Sequence, residues 1–356
     1  MVLGAVVAIG AKNQWFNRDA AGSHEAAESV QKTFLLEPLE CIEVAGRSAV
    51  ERMVERFAKI DAVVSVIVEG GAFAPEFRTV HENVTVQVVS DLNFEIRQKL
   101  SDYSQQGIEH AFVNWANSYQ ETDLLDLFCF HRESRQTATP TFDREGPLAL
   151  WAVDCAKAQQ GPIEKLLYEA RQNGASQYFI REYVNCLSHP RDLRRFASDM
   201  LRAQCQARPS GQEVRPGVWL DEGAEIHRRA RVVAPAYVGC ASKVRADALI
   251  TRFSDIERDC CIDCGTVVED SSVLANTTVG IWLDLCHAVA SGNILLNLER
   301  DVLIEISDSR VLGSTNAGRK FVPGKSGRLE PLETISQLEP RRMPEAWQLG
   351  SNFIQE

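Results

Sequence analysis

The chain has 356 residues, 45% of them apolar and 24% charged, with a formal net charge of −11. That length exceeds one typical core and predicts two domains, the composition is that of an ordinary globular protein, and the acidity disfavours a nucleic-acid partner. Ten cysteines at irregular spacings fit reduced thiols in a cytoplasmic protein, and no apolar run reaches the roughly 18 residues of a membrane helix, so no membrane partner is expected.

In chain order, residues 2–10 are apolar with no basic residue before them, and read as a buried first strand. Residues 12–32 are polar and Ala-rich without periodicity, a loop with some helix, and 37–46 form an extended lead-in to a turn. Ser48 with Glu51 three residues on has the form of a capping box, and Val50, Met53, Val54 and Phe57 give the helix that follows, through Lys59, one apolar stripe. Residues 62–68 are the near-continuous apolar run of a parallel strand covered on both faces. A strand at 84–89, a helix at 94–103 and a strand at 110–115 continue the alternation, and Thr122 is expected to cap a helix to about His131. Two strands, 137–142 and 148–153, are joined by Asp143-Arg-Glu-Gly146, and a helix at 163–172, a strand at 177–184 and a helix at 191–204 complete the domain. Strands alternating with helices predict an α/β domain with a mostly parallel sheet over 1–209. The stretch Arg208-Pro-Ser-Gly-Gln-Glu-Val-Arg-Pro-Gly217 is the linker.

From Leu220 the period becomes six. Leu220, Ile226, Val232, Val238, Val244, Ile250, Ile256, Ile262, Val268 and Leu274 are all aliphatic, and the fourth residue after each is small, from Ala224 and Ala230 to Cys260, Thr266, Ser272 and Thr278. This is the hexapeptide signature of a parallel β-helix. Three hexapeptides close a triangular coil, the aliphatic residue fills it, and the small one gives room at the corner. Ten hexapeptides make a little over three coils, or roughly 15 Å at the inter-strand spacing. The register is expected to break after Thr278, and 280–313 to supply a closing cap; 314–356 reads as an extended tail. Cys261-Ile-Asp-Cys264 has half the spacing of a zinc site, but Cys260 beside it already serves as a small interior residue, and packing explains the group better.

An α/β domain followed by hexapeptides resembles the sugar-1-phosphate nucleotidyltransferases, or nucleotide-sugar pyrophosphorylases. The stretch Pro38-Leu-Glu-Cys-Ile-Glu-Val-Ala-Gly46 is similar to the family's K-P-[LM]-x-P-V-x-G lead-in. Tyr183-Val-Asn-Cys-Leu-Ser-His-Pro-Arg-Asp192 is similar to its W-x-D-[IT]-G-T-P-E-D segment. The resemblance implies a Rossmann-like nucleotidyltransferase domain, then a left-handed parallel β-helix over 210–313 through which the chain forms a homo-oligomer. It also implies a nucleoside triphosphate or nucleotide sugar and a sugar phosphate as ligands, with Mg2+ as cofactor if the protein is catalytic. Residue by residue, it points to Lys12 and Asp123 for catalysis, and to Gly10, Asn117, Glu145 and Gly146 for substrate. Asp123 and Asn185 are the implied metal ligands.

The sequence departs from that pattern where phosphate is handled. The family's L-x-A-G-x-G-[ST]-R-[LM] loop is replaced by Ala8-Ile-Gly-Ala-Lys-Asn-Gln-Trp-Phe16, and its lead-in lysine by Glu37. The expectation is therefore a framework with an altered transferase site, serving as a nucleotide-sugar binder or a regulatory subunit. The alternative is a hexapeptide acyltransferase taking acyl coenzyme A, with His227 or His287 as general base. A third reading makes the β-helix an oligomerisation post alone.

Overall fold

The computed structural model describes residues 2–10, 38–70, 83–158 and 176–315, all within one compact unit, Met1–Gly318. The expected segments at 12–32 and 163–172 lie outside the described residues, as do Lys12, Glu37 and the tail from 316.

The elements of the first part are β1 (Gly4–Ile9), a 3-10 turn (Leu39–Cys41), β2 (Glu43–Val44), β3 (Arg47–Ser48) and α1 (Ala49–Ala58). Next come β4 (Val63–Glu69), β5 (Val84–Val89), α2 (Leu92–Gln105), β6 (His110–Trp115), β7 (Ser118–Gln120) and α3 (Leu124–Ser134). The series ends with β8 (Ala138–Phe142), β9 (Pro147–Asp154), α4 (Cys155–Ala158), β10 (Tyr178–Phe179), β11 (Val184–Cys186) and α5 (Pro190–Leu201). Seven strands make one sheet in the order β10-β8-β9-β6-β1-β4-β5. All neighbours are parallel except those of β9, which runs against both β6 and β8. The expected strand at 177–184 is in fact two short ones. β10 extends the sheet, and β11 pairs with β7 in a separate ribbon.

Both faces of β1 are covered, as its unbroken apolar run requires. Val7 and Ile9 pack with Val50, Met53, Val54 and Phe57 of α1, while Val6 and Ala8 pack with Ile96, Leu100 and Tyr103 of α2. Ser48 begins α1 as expected, its Oγ accepting from Glu51 N at 3.1 Å. Tyr103 explains Gly4, because a Cβ there would lie 2.6 Å from the ring. Its hydroxyl is satisfied by Ser65 Oγ, Ala5 O and Val63 O at 2.9–3.0 Å.

Beyond residue 212 the chain forms short, mostly parallel strands in three sheets, an arrangement compatible with a β-helix. Each residue pairs with one eighteen positions on, Glu225 with Lys243 and Lys243 with Cys261. The aliphatic positions Val232, Val244, Ile250, Ile256, Ile262 and Val268 form one buried core. The small position does more than give room. Ser242 Oγ accepts from Cys260 N at 2.9 Å, Ser254 Oγ from Ser271 N at 3.3 Å and Ser271 Oγ from Ala288 N at 3.0 Å. Each hydroxyl thus satisfies a corner N–H of the coil above, which a methyl group would leave unbonded in the interior.

The register departs from expectation at one place. After Val268 the return shortens to seventeen residues, Asp255 pairing with Ser272 and Cys261 with Thr278. Val273 therefore follows Ile256 into the interior, and Leu274, expected there, packs instead with the α/β core. Ser271 takes the small position expected of Ser272. The shortened corner turns at Asp270, whose φ is 43°. The winding then continues past Thr278, because Val289 and Ala290 still pair in parallel with Ser272 and Val273. An antiparallel meander, Ile294–Asn297 and Val302–Glu305, and the strand Leu312–Ser314 close this end.

One polar seam joins the two parts. Asp255 and Glu257 flank the interior Ile256, so both side chains point outward, and both are buried against the first domain. Glu257 accepts from Ala45 N at 2.6 Å and Gly46 N at 2.9 Å. Gly46 has φ 87°, and a Cβ there would lie 2.3 Å from the Tyr237 hydroxyl, so the turn demands glycine. Arg194 of α5 reaches Asp255 at 3.3 Å and Asp270 at 2.7 Å, and Ser272 Oγ donates to Asp255 at 2.6 Å. Arg258 meets Glu43 at 3.0 Å. Burial pushes the Asp255 carboxyl up to about 6, with Arg194 opposing; burial and then Asp255 raise Glu257 well above its ordinary value.

Ile262→Ala should cost about 2–5 kcal/mol in urea unfolding, and Cys261→Ala, one residue away on the outer side, under about 1 kcal/mol. The seam also predicts a pH dependence. A carboxyl whose folded pKa is raised stabilises the fold below its unfolded value and loses that contribution as pH rises through the folded one. Asp255 should therefore lower stability between about pH 4 and 6. Burial, and then His110, hold His131 down near 4, so its contribution runs the other way in that window. Subtracting the urea profile of Asp255→Asn from wild type isolates the seam. The difference should fall with rising pH, and a flat or rising difference would contradict the assignment.

Candidate functional site

The order of the large sheet locates a topological switch point. From β1 the chain builds outward through β4 to β5, then returns to place β6 on the other side of β1. β1 and β6 flank this reversal, and the carboxyl ends of such strands are where open α/β sheets bind ligands.

Gly10 and Asn117 stand at this edge, one after β1 and the other after β6, joined through Ala116 N and Ala8 O at 2.9 Å. The β6–β9 register pairs Asn114 with Leu150; carried outward, it sets Pro147 level with Asn117 and brings the Glu145–Gly146 turn alongside. Asp143 Oδ1 holds that turn by accepting from Glu145 N at 2.8 Å and Gly146 N at 3.0 Å. On the other side, Leu187 N donates to Asn117 O at 3.1 Å, tying the β7–β11 ribbon and Asn185 to the same edge. Gly10, Asn117, Glu145 and Gly146 thus gather at one rim.

Asp123 and Asn185 have other partners. Asp123, rather than the expected Thr122, caps α3, its Oδ1 accepting from Leu125 N and Asp126 N at 3.0 Å. Asn185 is 3% exposed and donates to Asp192 O at 3.2 Å and Tyr183 Oη at 3.3 Å, fastening α5 to the ribbon. Asn185 stands opposite Tyr119 in the ribbon, four residues from Asp123, or roughly 13 Å along an extended chain. Asn185 Oδ1 has no hydrogen-bond partner, and no group of three His, Cys, Asp or Glu able to hold a metal occurs among the described residues.

Among the described residues the rim carries the amide of Asn117, the acids Glu69 and Glu145, and Arg144 of the same turn. A Cβ on Gly10 would lie 2.6 Å from Glu69 Cβ and 2.9 Å from Glu69 Oε2, so this backbone runs against a carboxylate. Beneath the rim is Asn114, which the sequence reading did not single out. It is fully buried beside Val7 and Leu150, on the α1 face of the sheet, and neither amide atom has a hydrogen-bond partner. The signal in the sequence is a lone amide within the apolar run His110-Ala-Phe-Val-Asn-Trp115. A buried amide left unpaired costs about 1–3 kcal/mol, so Asn114 is a group whose bonding the described residues leave incomplete.

Asp123→Ala should cost about 1 kcal/mol through the lost cap, and Asp123→Asn should be nearly neutral because both residues cap equally well. Urea midpoints for the pair check this; equal losses in both would show that the charge, not the cap, is what Asp123 supplies. No protein-family model matches the chain, and no curated protein matches it.

Proposed function

We propose that this chain is a divergent sugar-1-phosphate nucleotidyltransferase-family protein whose left-handed β-helix follows a nucleotidyltransferase-like domain. In this reading the protein binds a nucleotide sugar without transferring nucleotide, as a sensor or regulatory subunit in nucleotide-sugar or polysaccharide synthesis. The observation that carries the reading is the sheet edge at the carboxyl ends of β1 and β6, where Gly10, Asn117 and the Glu145–Gly146 turn lie near the unpaired amide of Asn114. Amides suit the hydroxyls of a sugar and the edges of a base. A triphosphate would instead need backbone N–H groups, a cation and a metal. Here a carboxylate stands beside Gly10, Asp123 Oδ1 caps α3, and the Asn185 amide nitrogen is engaged with α5. Lys12, the basic candidate named by the resemblance, lies outside the described residues.

One observation favours the acyltransferase alternative. His287 Nδ1 lies 2.7 Å from Asp270 Oδ2, and its side chain is 41% exposed. A histidine donating from Nδ1 to a carboxylate keeps Nε2 free as a general base. His227 lacks this support, its Nδ1 accepting only from Arg229 N at 3.2 Å. Asp270 also binds Arg194, so the pair equally serves the seam.

Calorimetry with nucleoside triphosphates, nucleotide sugars and sugar 1-phosphates, each with Mg2+ and with EDTA, decides the main reading. A nucleotide sugar should bind equally in both, and Asn114→Leu should weaken it about tenfold while raising stability by about 1–3 kcal/mol. Binding that requires Mg2+, or none to any compound, would overturn it. Acetyl coenzyme A hydrolysis lost in His287→Ala but kept in His227→Ala would establish the alternative instead.

A further inference from the structure

The two ends of the short-strand region are unlike. One is closed by the antiparallel meander, whereas the other, where the winding starts, holds a cavity of about 720 Å3. Its floor is the interior of the first coil. Leu220 and Ile226 are only partly buried there, while Val238 and Val244, one coil above, are buried. A solenoid end with an open interior is a surface that stacking would cover.

The backbone at this end is also open. Glu225 N and His227 N donate upward to Ser242 O at 2.8 Å and Val244 O at 2.9 Å. By the alternation of a parallel ladder, the N–H and C=O of Ile226 between them face the open side. Val232 repeats the pattern, because Arg231 N and Val233 N donate upward to Ala248 O and Ile250 O, both at 2.8 Å. Its carbonyl on the open side is met by the Arg215 guanidinium. The Ile226 edge is therefore unpaired, of the kind that accepts an added strand.

The rim carries the charge. Arg215, Arg228 and Arg231 line the cavity and are exposed. Arg229 is spent on Asp247 and Glu225 on Lys243, while Arg228 and Arg231 make no ion pair among the described residues. A second copy meeting this end head-on would set arginine against arginine. We infer that the open end binds an extended acidic peptide strand, its backbone pairing with the edge at Ile226. Alternate apolar side chains enter the floor at Leu220 and Ile226, and the carboxylates between them meet Arg228 and Arg231. An apolar ligand without a peptide backbone leaves that edge unsatisfied.

The test uses the full chain and fluorescein-labelled Glu-Val-Glu-Leu-Glu-Val, with Lys-Val-Lys-Leu-Lys-Val as control, followed by anisotropy. The acidic peptide should bind and the basic one should not. The double variant Arg228→Glu with Arg231→Glu should weaken the acidic peptide about tenfold or more, as should N-methylation of its alternate amides. Circular dichroism and urea midpoints of the double variant, whose changed side chains are exposed, confirm that it folds. Four results would each overturn the inference. They are no binding, equal binding of both peptides, full binding of the N-methylated peptide with displacement by sodium dodecanoate, or a charge-reversed variant that only changes oligomeric state in sedimentation.

Discussion

The structure depends on a buried polar seam more than on either core. A parallel sheet and a stack of short strands each bury their own apolar residues. Tyr237, Leu274, Val289 and Leu296 of the stack pack into the sheet's core, and it falls to directional polar contacts to fix one against the other. Glu257 does so by taking both N–H groups of the Ala45–Gly46 turn, and Arg194 does so by bridging Asp255 and Asp270. Buried charges are costly, and breaking one partner of such a pair leaves the other uncompensated. The seam therefore specifies orientation, and the raised carboxyls of Asp255 and Glu257 are the cost of placing two acids side by side away from water.

That placement bears on the sheet edge at the ends of β1 and β6. The Ala45–Gly46 turn leads through Ser48 into α1, and α1 covers the sheet face that holds Asn114. Arg194 belongs to α5, whose first turn is tied by Asn185 to the ribbon behind Asn117. The short-strand region thus supports the rim from behind while lying apart from it. It leaves its own open end, with Arg228 and Arg231, as a separate surface.

Much of the fold was legible in the sequence because its periods are physical. The run 62–68 has no polar face because both faces are covered, and the hexads repeat because each strand turns one residue inward. The slip at Asp270 was not legible. Ser271-Ser-Val-Leu274 offers two small and two aliphatic residues in a row, so either register satisfies the pattern, and only pairing with the coil below decides. Thr122 and Asp123 are both good caps, and geometry chose the second. The rim residues Gly10, Asn117, Glu145 and Gly146 were reached through resemblance and do share an edge. Asn114 was passed over because an amide in a strand looks like a solvent-facing alternation. Arg194 and Asp255 are 61 positions apart, too far for any local pattern to connect them.

The account rests on a nucleotide sugar occupying the sheet edge at the carboxyl ends of β1 and β6. Hydrogen–deuterium exchange of the full chain, with and without a nucleotide sugar in EDTA, tests this most directly. Slowed exchange at residues 114–117 and 183–187 is the predicted result. Unchanged exchange there, or protection confined to residues 226–233 at the open end of the short strands, would contradict it.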